Sequence, residues 1–211
     1  MQKERFFPVV ALLYLAFGAC QTPPGNTDWG HYLGDPSASH HSPLTQINVQ
    51  NVAGLKEVWH YHSGGADSAD RSQIQCNPLI INGILYGSSP DLKYFALNAA
   101  TGEKVWEFDP FQGGYNQFGM GVNRGLAFWK SGEESRILCT ASDKLYALDA
   151  KTGQPLPSFG VNGSVDLHTG LGDRAARLYV VSNTPGVVYQ DLYILGTRVS
   201  EGSDAAPGYV R

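Results

Sequence analysis

Beyond Asp28 the hydrophobic residues fall in short alternating runs broken by Gly, Pro, Asn and Asp. No long stretch keeps the i, i+3, i+4 spacing of an amphipathic helix. The clearest run is Tyr94-Phe95-Ala96-Leu97, whose alternation predicts a strand. Asn98 ends it, and Thr101-Gly102 follows as a turn in which the Asx side chain caps backbone N–H groups and Gly takes positive φ. The chain then returns through Val105 and Trp106 as a second strand. Gly83-Ile84-Leu85-Tyr86-Gly87 predicts another strand ahead of the pair.

The same pattern recurs. Leu145-Tyr146-Ala147-Leu148-Asp149 is followed by Thr152-Gly153, and Arg136-Ile137-Leu138-Cys139-Thr140 precedes it as the earlier strand. Gly102 and Gly153 are equivalent, which sets a period of 51 residues. A repeat of this length marks stacked supersecondary units such as propeller blades. A β-sandwich has no reason to repeat Ala-x-Asx-x-x-Thr-Gly at a fixed interval. The predicted fold is therefore all-β, a β-propeller of four-stranded antiparallel blades. Residues 28–211 hold roughly three and a half such units, a partial ring. Leu55-Lys56-Glu57-Val58-Trp59 reads as the closing strand of one unit. Asp191 to Gly196 and Gly208 to Arg211 read as the opening of another.

The N-terminus has a different character. Lys3 and Arg5 precede an apolar run from Phe6 to Phe17, and Gly18-Ala19 follow, so residues 1–19 read as a secretory signal peptide. Phe17-Gly18-Ala19-Cys20 resembles a bacterial lipobox, in which Cys20 is acylated after cleavage; cleavage without a lipid is the alternative. Residues 20–27 then form a flexible tether. The expected location is periplasmic, on a membrane anchor if Cys20 carries lipid. Cys76 and Cys139 remain, either paired in an oxidising envelope or buried as free thiols. A net charge of −4 without a basic stripe argues against nucleic acid.

With the repeat established, Ala96-x-Asn98-x-x-Thr101-Gly102-x-x-x-Trp106 resembles the tryptophan-docking motif of the pyrroloquinoline-quinone (PQQ) alcohol and glucose dehydrogenases. Asp28-Trp29 and Ser42-Pro43-Leu44-Thr45-Gln46-Ile47-Asn48 are similar to that family's opening. Val122-Asn123-Arg124-Gly125-Leu126-Ala127 is similar to its cofactor-side loop, and Asp191 to Glu201 to the segment beneath the quinone. The resemblance implies an eight-bladed parent in which each docking Trp wedges between blades. The second copy departs, with Pro157 at the Trp position.

The resemblance also implies a site. Arg124 would hold a carboxylate or quinone oxygen of PQQ with the forked geometry that Lys lacks. Gln75 stands where many relatives carry a Glu, and its amide could still bond the cofactor. Ser182 and Thr184 both lie near the position of a cofactor-binding hydroxyl. Arg198, Val199 and Ser200 would run alongside the cofactor, and Glu201 would supply a carboxylate to Ca²⁺. The family's catalytic Asp falls beyond Arg211, so no residue here is assigned as catalytic. Phe118 and Gly119 replace the vicinal disulfide of the alcohol enzymes, and Met120 replaces a His of the membrane glucose enzymes.

The implied activity is oxidation of an alcohol or aldose sugar by hydride transfer to Ca²⁺-bound PQQ, with electrons passing to a quinone or cytochrome c. The alternative is a non-enzymatic lipoprotein scaffold for outer-membrane assembly, which would share the repeats and the lipobox but bind protein partners. His60-x-His62 places two rings on one strand face, yet two His without carboxylate or Cys support read as structural or exposed.

Overall fold

The computed structural model describes residues 28–67, 69, 72–114 and 122–211. The signal peptide, Cys20, the tether 20–27, Phe118, Gly119 and Met120 lie outside the described residues. Two four-stranded antiparallel sheets form the body. The first is β1 (Leu79–Ile81), β2 (Ile84–Ser88), β3 (Tyr94–Asn98) and β4 (Lys104–Phe108). The second is β5 (Ala127–Ser131), β6 (Glu134–Ala141), β7 (Lys144–Asp149) and β8 (Ser164–Asp166). Each is an up-and-down meander whose strands pair in sequence order, as a propeller blade requires. Four short strands follow: β9 (Val180–Val181), β10 (Val187–Tyr189), β11 (Leu192–Ile194) and β12 (Arg198–Val199). β10 pairs with β11, and β9 with β12. Helical structure among the described residues is confined to 3₁₀ turns at Val52–Gly54 and Asp173–Arg177.

The turns form as their side chains dictate. Asn98 Oδ1 accepts the N–H groups of Ala100 (2.9 Å) and Thr101 (3.2 Å), and Asp149 Oδ1 those of Lys151 (3.0 Å) and Thr152 (2.8 Å).

The second sheet is apolar on both faces because it is buried on both. Ile137, Cys139 and Ala141 of β6 point into a core shared with Leu79, Ile81, Tyr86 and Tyr94 of the first sheet. Leu138, between them in sequence, faces the opposite side, where Ala127 and Ala147 meet Val188 and Tyr193 of the β10–β11 hairpin. This period of two is the strand alternation read from sequence. The hairpin also has two apolar faces, but Val187, Tyr189, Leu192 and Ile194 on its other face are exposed.

Two tryptophans join units at equivalent points. The Trp106 indole N–H donates to the Ala150 carbonyl at 3.0 Å, and its ring lies over Gly153. Trp59 donates to the Ala99 carbonyl at 3.2 Å and lies over Gly102. Both glycines have positive φ, and a Cβ at either would sit 2.6 Å from the indole, so glycine is needed for backbone shape and for room. The contact repeats further on: Tyr61 packs on Phe95 and Phe108 on Tyr146, with centroids 5.0 and 5.3 Å apart.

One local expectation needs correction. Leu55–Trp59 is not a strand: it joins no ladder and Val58 is 85% exposed, although Trp59 docks as the repeat requires. An outer strand needs an inner neighbour to pair with, and none is found among the described residues. At the second repeat, the missing Trp is replaced by a detour. Pro155 bridges Leu148, Leu156 and Phe159 pack against the Ala127–Leu138–Ala147 cluster, and the chain turns back to form β8. Gly208–Arg211 contributes one bridge, Gly196 to Val210, flanked by two Leu195–Arg211 backbone hydrogen bonds. Cys76 and Cys139 are both free thiols, and burial pushes both above the usual thiol range.

Candidate cofactor site

The Arg124 loop enters the second sheet just before its first strand, β5. A buried network fixes it from beneath. Asn123, 3% exposed, donates from Nδ2 to the Tyr94 hydroxyl and to the Thr140 carbonyl, both at 3.0 Å. Its Oδ1 accepts the Gly125 N–H at 2.7 Å, which folds the loop around the intervening Arg. Tyr94 donates its own proton to the Thr140 carbonyl at 2.7 Å, and burial holds this phenol far above its ordinary range, hence neutral. Thr140 Oγ1 donates to the Ser182 carbonyl at 2.7 Å, and Ser182 Oγ to the Gly196 carbonyl at 2.8 Å. One chain of hydrogen bonds thus links both blades to the segments that precede β10 and follow β11.

The Arg124 backbone is held from two sides. Its N–H donates to the Asn183 carbonyl at 2.8 Å, and its carbonyl accepts the Asn77 N–H at 2.9 Å. Gly125 follows at φ +154°, and a Cβ there would approach the Asn77 carbonyl to 3.1 Å and Tyr32 to 3.3 Å. The Arg124 side chain is exposed, with Nε 3.4 Å from Gln75 Oε1. Gln75 is oriented in turn, since its Nε2 donates to Gln73 at 2.6 Å. The fold therefore brings Gln75 to Arg124 and sets residues 182–184 beside them, from three separate stretches of chain.

The two hydroxyls differ in what they have left to offer. Ser182 is 5% exposed and its single proton is shared between the carbonyls of Gly196 and Thr184. Thr184 is exposed. Arg198 and Val199 form β12, opposite Val181 and Val180. Val199 packs into the core around Val180 and Leu195, while the Arg198 guanidinium lies 6.0 Å over the Tyr179 ring. Ser200 and Glu201 follow β12, and both are exposed. The His60 and His62 rings meet edge to face at 5.0 Å, with His60 3.0 Å from Glu57.

The Tyr94–Asn123–Thr140 network was not anticipated from sequence. The available signal was Thr140, a polar residue in the otherwise apolar run Ile137–Ala141 that is 3% exposed.

Comparison with known proteins gives the family. Residues 29–211 match the family model of the PQQ glucose/ethanol/alcohol dehydrogenase β-propeller domain. The chain belongs to that family. It is 40% identical over 131 residues to the dehydrogenase subunit of the quinone alcohol dehydrogenase of Gluconobacter oxydans strain 621H, covering 60% of this chain and 16% of that protein. It is 26% identical over 191 residues to the quinoprotein glucose dehydrogenase of Escherichia coli K12, covering 83% and 24%. The crystal structure of quinohemoprotein alcohol dehydrogenase from Comamonas testosteroni superposes with a TM-score of 0.63 at 25% identity, covering 82% of this chain and 23% of that one. The chain thus spans about a sixth to a quarter of the length of these relatives. They are PQQ-family dehydrogenases acting on alcohols or glucose, and the all-β propeller architecture is theirs.

Proposed function

We propose that this chain is the N-terminal part of a periplasm-facing quinoprotein dehydrogenase that oxidises an alcohol or aldose with Ca²⁺-bound PQQ. The observation that carries the reading is the Arg124 loop. A buried network holds its backbone while the guanidinium stays exposed beside Gln75, and a planar tricarboxylate needs such a fixed, forked cation. Beside it, Gln75 offers an amide and Thr184 a hydroxyl, and Arg198 is proposed as a second cation. We place Thr184 rather than Ser182 at the cofactor, because the Ser182 proton is already used inside the fold. When bound, PQQ supplies a quinone that accepts the hydride from the carbinol carbon.

Glu201 is the proposed carboxylate ligand for Ca²⁺; an exposed oxygen donor suits a hard cation, and the remaining ligands would come from other residues and from the cofactor. The general base that takes the hydroxyl proton is proposed to lie outside residues 28–211. Residues 1–19 would direct export and Cys20 would carry the lipid anchor. No helix among the described residues is long and apolar enough to cross a membrane. Electrons would leave to a quinone or cytochrome c.

The test is dye reduction by the complete gene product reconstituted with PQQ and Ca²⁺, using primary alcohols, secondary alcohols and aldoses. Turnover dependent on PQQ with at least one of these classes is expected. Absence of turnover with all of them, together with failure to retain PQQ, would favour the non-enzymatic scaffold.

A further inference from the structure

Asp143, Asp166 and His168 converge on the outer side of the second sheet, whereas Arg124 enters that sheet at its first strand. Asp143 lies in the β6–β7 turn, Asp166 ends β8, and His168 follows two residues later. The pairing of Lys144 with Asp166 and the 2.8 Å hydrogen bond from Leu167 N–H to the Asp143 carbonyl bring the three together. One ligand atom from each lies within 4.8 Å of the others.

The imidazole defines what is needed between them. His168 Nε2 is 2.9 Å from the Leu178 carbonyl. A carbonyl oxygen only accepts, so Nε2 carries the hydrogen. In the neutral ring Nδ1 then presents a lone pair, and it faces Asp166 Oδ1 at 2.7 Å, another acceptor. A proton on Nδ1 makes this contact a charge-assisted pair, and the same Asp166 oxygen also accepts the His168 backbone N–H at 2.8 Å. A metal ion binds by displacing that proton, and Asp143 stands close enough to join as a third ligand. A divalent ion would engage all three.

We propose that Asp143, Asp166 and His168 Nδ1 bind a divalent ion of the zinc class, with water completing its shell. One imidazole nitrogen and two carboxylates suit Zn²⁺, whereas Ca²⁺ and Mg²⁺ take oxygen ligands. The Nε2–H donated to Leu178 is the outer contact that orients a metal-binding imidazole. The ion would tie the β6–β7 turn to the tail of β8. Through Leu178 it would also tie both to the segment that leads into β9 and on to Ser182–Thr184. The site is independent of PQQ and of the dehydrogenase reading.

The experiment is a calorimetric titration of Zn²⁺ into chelator-treated protein, with melting curves on the same samples. One ion per chain is expected, with a higher melting temperature. Asp143→Asn and His168→Gln should each weaken binding by about 10-fold or more and abolish the thermal shift. His60→Gln should leave both unchanged. If either site variant does not fold, ¹⁵N spectra of wild-type His168 decide: zinc must shift Nδ1 and leave the Nε2–H in place. No saturable binding, an undisturbed Nδ1, or binding lost with His60→Gln instead would overturn the proposal.

Discussion

Replacing Trp106 with alanine is expected to lower the unfolding free energy by about 3–5 kcal/mol, read from urea melts. The side chain is 7% exposed, fills the joint between the two sheets, and lies against Tyr86 at 5.9 Å between centroids. Its loss would open a cavity at that joint and leave the Ala150 carbonyl with one donor fewer, although the Tyr86 hydroxyl also reaches it at 3.2 Å. Gly153→Ala should destabilise by two separable routes. One is the positive φ of 72°, worth about 1 kcal/mol. The other is the 2.6 Å approach to the indole. In the Trp106→Ala background only the first route remains, so the double mutant should be more stable than the sum of the singles implies. Strict additivity would show that the Trp–Gly contact does not join the blades. Trp59→Ala should cost less, because Trp59 is only half-buried and the segment that carries it joins no ladder.

Asn123→Ala is the second large effect. The substitution strips a donor from the Tyr94 hydroxyl and from Thr140, all of them buried, and removes the acceptor that bends the chain at Gly125. A cost of about 2–4 kcal/mol is expected from unsatisfied buried groups. The more specific consequence lies at the loop. With Gly125 released, Arg124 loses its fixed placement against Gln75, and PQQ affinity should fall further than stability alone explains. Retained affinity in a folded Asn123→Ala protein would mean that the network supports the fold but not the site.

Sequence and structure agree where the physics is local. Strand alternation, Asx-capped turns and the glycine period depend on neighbours along the chain, and β2, β3, β6 and β7 fall where those signals predict. The same signals mislead at Leu55–Trp59, whose residues match those of β4 in kind but find no inner strand to pair with among the described residues. β8 was invisible because three residues, Ser164–Asp166, become a strand only by pairing with β7 across the Pro155 detour. At the site, the motif around Arg124 singled out one loop as the candidate, and the fold adds its contact with Gln75, 49 residues away in sequence. The ordering of Ser182 and Thr184 could not be read from spacing. The proposed choice of Thr184 rests on a hydrogen bond to Gly196, fourteen residues on, that consumes the Ser182 proton.

PQQ is proposed to sit at the end of the propeller marked by Arg124. Titrating PQQ against wild-type and Arg124→Lys protein, followed by the quinone absorbance, tests it most directly. Saturable binding in the wild type, weakened about 10-fold or more when the forked guanidinium becomes a point charge, is the result expected. No saturable binding, or equal binding by the folded variant, would contradict the account.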